Sequence, residues 1–337
     1  MGAAVIDTIG RPLATEAFPT TPAGYRHLLA WLSSHGHVLT VGMEGTGSFG
    51  AELARFLRAN QITVIEVDRP DRRTRRVAGK FDPVDAYAAA TAVFSGRANG
   101  TPKNRDGTVE AIRALRVVRA SAVKSRTQTI NQIKSLIITA PASVREALRS
   151  LTTTELIRRL AASPPGTDLT DPATAVKIAL KRLAKRYQHL SEEISDADAE
   201  LGALITHTAP GLLALLGVGT ETAGQLLVTA RDNPDRLASD ASFAHLCAAA
   251  PVPASSGRTD RHRLNRGGDR QGNRALHTIV LVRMRHDPRT RDYVARRTRE
   301  GLKTKDIFRC LKRFVAREVY HHLTSAFGSG PSASPAT

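Results

Sequence analysis

Val41-Gly42-Met43-Glu44-Gly45-Thr46-Gly47-Ser48 and, further on, Lys80-Phe81-Asp82-Pro83-Val84-Asp85-Ala86 decide how the first third of this chain is read. In the first stretch an apolar run ends on a carboxylate, Glu44, and a Gly-Thr-Gly-Ser turn follows. This is the layout of a strand that delivers an acid at its C-terminal end. In the second, Asp82 followed by Pro83 is an N-cap and N1 pair, worth about 1 kcal/mol to a helix starting there. Residues three apart share a helix face, so Asp82 and Asp85 both point at a strand-end carboxylate. Three converging carboxylates suit a hard divalent cation, and Mg2+ is the ion expected at Glu44, Asp82 and Asp85. A cation so held activates an attacking oxygen and neutralises a leaving one in phosphoryl transfer.

Outward from these motifs the first third is α/β. Ala3 to Ile6 and Leu13 to Phe18 flank a turn and predict a hairpin, and a helix starts at Thr21 or Pro22 and runs to Leu32. A strand over Val38 to Met43, a helix over Ala51 to Ala59 and a strand over Ile62 to Val67 follow, the order of a mostly parallel sheet. Asp7, in Asp-Thr-Ile-Gly, reads as a turn residue rather than a further ligand. Glu66 and Asp68 read as a solvated strand end before the turn at Pro70.

From Gly107 the pattern is helical. Ile112, Leu115, Val118, Ala122, Ile130, Ile133 and Ile137 predict one long helix, with Arg116, Arg119 and Arg126 on a different face. Val176, Leu180, Leu183, Tyr187, Leu190, Ile194, Ala197, Leu201 and Leu204 alternate steps of four and three, a seam of period 3.5. Two arrangements satisfy such a seam: a coiled coil between chains, or a helical hairpin against the preceding long helix. After Pro210 a mainly helical domain begins. Its Gly217-Val218-Gly219 fits either a helix-hairpin-helix turn offering amides to a phosphate or a purely structural turn. The tail Gly328 to Thr337, rich in Ser, Pro and Gly, reads as disordered.

The chain has 337 residues, 41% of them hydrophobic, enough for two or three domains. With 49 Lys+Arg against 31 Asp+Glu its formal charge is +18, which favours nucleic acid as partner. Arg72, Arg73, Arg75, Arg76 and Lys80 precede the carboxylate helix and would bring backbone phosphates toward it. A second basic segment, from Pro251 to Arg274, sets Ser255 and Ser256 among Arg258, Arg261, Arg263, Arg266 and Arg270. Hydroxyls flanked by guanidinium groups bind a phosphate, and one so placed can also attack it. Lys303, Lys305, Arg309, Lys312 and Arg313 read as a phosphate-positioning helix, with Ile307, Leu311 and Phe314 toward the core. Aromatic residues are only 4%, so backbone and shape readout is expected over base stacking. Cys247 and Cys310 have neither disulfide nor zinc spacing, which fits a reducing compartment. With no apolar run of about 18 residues and no signal-peptide layout, the expectation is a cytoplasmic protein without a membrane partner.

Glu44 in its Glu-Gly-Thr-Gly-Ser context, Lys-x-Asp-x-x-Asp-Ala at Lys80 to Ala86, and Pro-x-x-x-Ser-Ser-Gly followed by Asn-Arg-Gly-Gly-Asp-Arg-Gln-Gly-Asn together resemble the insertion-sequence transposases of the IS-one-ten family. The resemblance runs from about Ala3 to about His322. It implies an RNase H-like (RuvC-like) N-terminal domain over 1–105 with an Asp-Glu-Asp-Asp metal site, long helices and a coiled coil over 106–207, and a C-terminal transposase domain over 208–325. A disordered tail over 326–337 completes the division. Glu44 matches the family's Glu, Asp82 and Asp85 its last two Asp residues, and Ser256 its nucleophile, with Ser255 as a one-residue alternative. The first Asp has no match, and the resemblance implies that the chain lacks the family's opening strand. It further implies recombination of donor and target DNA guided by a structured RNA, within a dimer or tetramer whose active sites combine domains of different protomers. Two other functions fit the same residues: an inactive nucleic-acid-binding remnant without the first Asp, and a structure-specific nuclease using the carboxylates alone.

Overall fold

The structure, a computed structural model, describes residues 1–67, 82–102, 107–164, 166–231, 237–255 and 262–328, and of Asp82 the backbone only. The chain folds into two compact units. One holds Met1–Gly107, Leu227–Asn273 and Arg309–Thr324, the other Thr108–Leu226, Arg274–Phe308 and the residues from Ser325 on.

In the first unit an α/β segment opens the chain. Its elements are β1 (Gly2–Ile6), β2 (Pro12–Ala17), α1 (Pro22–Ser34), β3 (Val41–Glu44), α2 (Ala51–Ala59), β4 (Val64–Val67) and α3 (Asp82–Phe94). β1 and β2 pair antiparallel, with Ala3 opposite Glu16. At their turn Asp7 Oδ1 accepts from the amides of Ile9 (3.0 Å) and Arg11 (2.8 Å), and Oδ2 from Arg11 Nε (2.9 Å). These bonds, the Arg11 amide first, hold the Asp7 carboxyl below its ordinary range. Asp7 is therefore the turn residue its sequence context predicts. Thr21 caps α1 through Oγ1, which accepts from Gly24 N at 3.1 Å. Phe18, Tyr25, Leu28, Leu32, Met43, Leu53, Leu57 and Val64 form the core of this segment.

β3 and β4 pair parallel through the α2 crossover, Val41 opposite Val64 and Glu44 opposite Val67. Both strands start later than their apolar runs: Gln61 turns left-handed (φ 63°) just before Ile62, and Val38 and Ile62 pack on the core from outside the ladder. Among the described residues the pairs β1–β2 and β3–β4 do not join into one sheet; α3 packs against both. Gly42 makes this possible, since a Cβ there would stand 2.8 Å from Val93 Cγ2 and 3.0 Å from the Ala89 carbonyl oxygen. The helix thus lies directly on β3.

The second unit is helical, built on α4 (Gly107–Thr139), α5 (Ala142–Leu148), α6 (Thr153–Ala162), α7 (Pro172–Thr208) and α8 (Pro210–Leu213). Asp171 caps α7, accepting from the amides of Ala173 (3.1 Å) and Thr174 (3.0 Å). The seam of α7 is buried within the chain: Leu180 and Ala184 pack with Ile133, Leu156, Ile157 and Leu160, while Leu190 and Ile194 pack with Ala122. Of the two arrangements the sequence allows, the intramolecular one is present, because α4 and α6 supply the apolar partner surface. Arg119 grips Asp198 with two bonds (2.5 and 3.1 Å), and Arg126 lies 5.7 Å over the Tyr187 ring. Arg119 and Arg126 therefore fasten α7, while Arg116, the third arginine of this face, bonds Glu221 instead (2.6 Å).

The remaining helices are α9 (Thr220–Arg231), α11 (Arg270–His286), α12 (Pro288–Arg299) and α13 (Thr304–Gly328). Gly217 turns left-handed (φ +82°) within 3.2 Å of the Ile279 carbonyl, measured from an added Cβ, and Arg283 Nε donates to the Leu216 carbonyl at 2.7 Å. The Val218 amide bonds the Leu215 carbonyl at 3.0 Å and the Gly219 amide the Thr222 hydroxyl at 3.0 Å, so both are engaged inside the turn. That geometry is the structural turn rather than a phosphate cradle. On α13 Ile307 and Leu311 are buried as predicted, but Phe314 is 49% exposed. The buried stripe advances in steps of four to Val315, Val319 and Leu323, rotating away from Phe314. The helix includes residues 326–328, which the sequence assigns to a disordered tail; 329–337 lie outside the described residues. Among the described residues no helix is long and apolar enough to cross a membrane.

Candidate functional site

Glu44 is the last residue of β3 and is half-buried. Gly45 follows in the left-handed region (φ +67°), and its carbonyl accepts from the amides of Ser48 (2.9 Å) and Gly50 (3.1 Å), turning the chain into α2. Thr46, inside this turn, is fully buried with its Oγ1 unpartnered. Asp85 is half-buried in the first turns of α3, the helix that Gly42 seats on β3, and Asp82 is the first residue of that helix. Among the described side chains no group of three or more His, Cys, Asp or Glu gathers; Glu44 and Asp85 are the described members of the expected set. Carboxylates on a strand end and on the first turns of an adjoining helix are a donor set that fits a hard divalent cation. Arg72, Arg73, Arg75, Arg76 and Lys80 lie outside the described residues. Phe49, 99% exposed at the end of the Glu44 turn, escaped the sequence reading; its one signal is an aromatic closing a Gly-Thr-Gly-Ser turn.

The serine segment follows α10 (Asp240–Leu246). β5 (Val252–Pro253) pairs antiparallel with β6 (His262–Arg263), Val252 opposite Arg263. Ser255 is exposed beyond β5, and Ser256, Arg258 and Arg261 lie outside the described residues. Arg263, Arg266 and Arg270 are exposed. Val252, Arg263, Leu264, Asn265, Arg266 and Gly267 line an open cleft of about 520 Å3, two of them arginines.

Within the Asn265 to Asn273 motif, Asn265, Gly268, Asp269, Gly272 and Asn273 are turned toward the protein, while Gly267 and Gln271 are exposed like the arginines. Asn265 Nδ2 donates to the His245 carbonyl (2.9 Å) and Oδ1 accepts from the Gly267 amide (2.9 Å). A Cβ on Gly268 would stand 2.5 Å from Ala248 N, so only glycine fits. Asp269 caps α11 through Oδ1, which accepts from Gln271 N at 2.7 Å, while Oδ2 accepts from Thr229 Oγ1 at 2.8 Å. Asn273 Nδ2 donates to the carbonyls of Cys247 (2.7 Å) and Ala248 (3.1 Å). The arginines of this motif are thus its outer face, and its Asn, Asp and Gly residues its frame. Burial pushes the Cys247 thiol far up, which keeps it protonated and inert.

The basic set on α13 divides as well. Lys312 Nζ donates to Asn273 Oδ1 (3.1 Å), and Arg313 Nη2 and Arg317 Nε both donate to Asp240 Oδ2 (3.0 Å each). Lys312 and Arg313 are therefore tied to the protein, contrary to the phosphate-positioning role read for them, while Lys303 and Lys305 are exposed. The two guanidinium groups, Arg317 first, hold the Asp240 carboxyl below its ordinary range.

Two family models match the chain. The DEDD model of the IS110 type, described as a transposase, matches residues 1–139, and the model described as the transposase IS116/IS110/IS902 family matches residues 210–295. The chain is 33% identical over 141 residues to an insertion element IS110 uncharacterized 43.6 kDa protein of Streptomyces coelicolor, covering 41% of this chain and 33% of that protein. It is 32% identical over 123 residues to an insertion element IS900 uncharacterized 42 kDa protein of Mycobacterium paratuberculosis, covering 36% of this chain and 31% of that protein. The matched stretch thus spans about a third of each relative.

Proposed function

Because the chain belongs to the IS110 family of transposases, we propose that it cuts and rejoins DNA with a Mg2+ carboxylate site and a serine nucleophile. In this reading residues 1–105 are an RNase H-like domain, 106–207 a helical spacer and 208–325 the domain that carries the serine. Glu44, Asp82 and Asp85 hold Mg2+, which when bound supplies charge neutralisation at the scissile phosphate. Ser256, or Ser255 beside it, attacks phosphorus through its hydroxyl oxygen. The new Oγ–P bond forms as the bond to a deoxyribose oxygen breaks; the hydroxyl proton is released and the leaving oxygen takes one up. Arg263, Arg266 and Arg270, with Arg258 and Arg261, stabilise charge on the phosphoryl oxygens. Arg72, Arg73, Arg75, Arg76 and Lys80 hold the DNA backbone near the carboxylates. Phe49, exposed beside Glu44, offers a ring to an unstacked base. A structured guide RNA supplies target choice, and a dimer or tetramer assembles the donor and target strands.

The observation that carries this reading is the order of the two family matches, 1–139 and 210–295, over the carboxylate and serine motifs. Its test is Ser256→Ala beside Ser255→Ala, assayed for strand exchange, for a covalent protein–DNA adduct and for DNA binding. One of the two is expected to lose exchange and adduct while DNA binding persists. Exchange retained by both variants refutes the serine assignment, and cleavage without any adduct points to a nuclease working from the carboxylates.

A further inference from the structure

Ala248 stands in the left-handed region (φ 51°), a conformation that a residue with a Cβ holds only when its surroundings impose it. The surroundings here are specific. Cys247 and Ala248 end the α10 region, and both of their carbonyls accept from one amide nitrogen, Asn273 Nδ2, at 2.7 and 3.1 Å. An Asn amide presents NH2 on one side and oxygen on the other, and a half-turn exchanges them. Lys312 decides which side faces the turn. Its ammonium only donates, it is half-buried, and it bonds Asn273 Oδ1 at 3.1 Å, which leaves Nδ2 for the two carbonyls. Asn273 itself is fixed on the first turn of α11 by the Asp269 cap, with Gly272 packed against Cys247 Sγ. Immediately after the turn, the amides of Ala249 and Ala250 both bond the Ala244 carbonyl (2.8 and 3.1 Å), and the chain then enters β5 and reaches Ser255.

We propose that Asn273, oriented by Lys312, is a positioning residue for the serine-bearing segment. It holds the left-handed turn at Ala248 from which that segment departs. The proposal rests on the reading of this segment as the reactive one, and it explains why a lysine on a basic helix faces inward.

Asn273→Asp keeps the shape and the bond to Lys312 but sets a carboxylate oxygen against two carbonyl oxygens. Losing two hydrogen bonds at one turn should lower strand exchange about 10- to 100-fold, with DNA affinity unchanged within about twofold. Hydrogen exchange at the Ala249 and Ala250 amides should speed up in parallel. Adding Ala248→Gly, which takes the left-handed conformation without help, should restore much of the exchange activity; loss of general stability would not be cured this way. Wild-type exchange and amide protection in Asn273→Asp, or a defect that Ala248→Gly leaves untouched, would overturn the proposal. If Asn273→Asp does not fold, Lys312→Met, which frees the amide to rotate, is read by the same measurements and the same criteria. Amide protection is independent of the chemistry, so failure of the serine assignment and failure of this clamp are separately visible.

Discussion

Replacing Gly42 by alanine adds a Cβ that would stand 2.8 Å from Val93 Cγ2 and 3.0 Å from the Ala89 carbonyl oxygen. Carbon atoms in van der Waals contact settle at about 3.5–4.0 Å. The Val93 side chain can rotate away, but the Ala89 carbonyl belongs to the backbone of α3, so the helix has to withdraw by roughly 0.5 Å. Overpacking of this kind costs about 1–3 kcal/mol, against about 0.5–1 kcal/mol gained from replacing a strand glycine. The net, about 0 to 2.5 kcal/mol, should lower the melting temperature by up to about 10 °C for a unit of this size. The larger effect falls on the site, because Asp82 and Asp85 ride on α3 and Glu44 on β3. A displacement of about 1 Å costs up to about 100-fold in rate, and half that distance about tenfold. The assay is thermal unfolding together with a Mg2+ titration of strand exchange, in Gly42→Ala and in Gly42→Ala with Val93→Ala. The second change should relieve only part of the defect, since the carbonyl clash remains. A wild-type melting temperature with an unchanged Mg2+ dependence would refute the idea that this contact sets the carboxylate geometry.

Two further outcomes follow from ion pairs. The Asp240 carboxyl sits below its ordinary range, so its contribution is complete above about pH 4 and disappears as pH falls through the folded-state value. Melting curves from neutral to acid pH should show wild type losing its advantage over Asp240→Asn on the acid side; parallel curves would contradict the pairing. On α4 and α7, a double-mutant cycle between Arg119→Ala and Asp198→Ala should give a coupling of about 0.5–1 kcal/mol that shrinks in high salt. Zero coupling at low salt would mean that the two-bond contact holds nothing.

Much of the local architecture was legible in the residues. Alternation and turn chemistry predict the β1–β2 hairpin and the role of Asp7, and 3.6-residue periodicity predicts α4, now seen as 33 residues from Gly107 to Thr139. Glu44 was readable as a strand end and Asp82 as a helix start because each signal lies within a few neighbouring residues. What the sequence could not supply was the identity of partners across long separations. A seam of period 3.5 on α7 asks for an apolar surface without saying whose, and the fold answers with Ile133, Leu156 and Ala122 of the same chain. Lys312 and Arg313 carry the same charge as Lys303 and Lys305. Only packing brings Asn273 and Asp240, 39 and 73 residues away, to meet them and ties two of the five cations of that segment to the protein. Likewise the motif from Asn265 to Asn273 reads as one basic loop until the fold separates its exposed arginines from the Asn, Asp and Gly residues that hold the Ala248 turn. Backbone propensity and side-chain period are properties of neighbours along the chain, so the sequence alone determined the β1–β2 hairpin, α1, α2, α4 and α7 and the chemistry each offers. Which charges stay free and which become framework is set by distances between elements, and those exist only once the chain has packed.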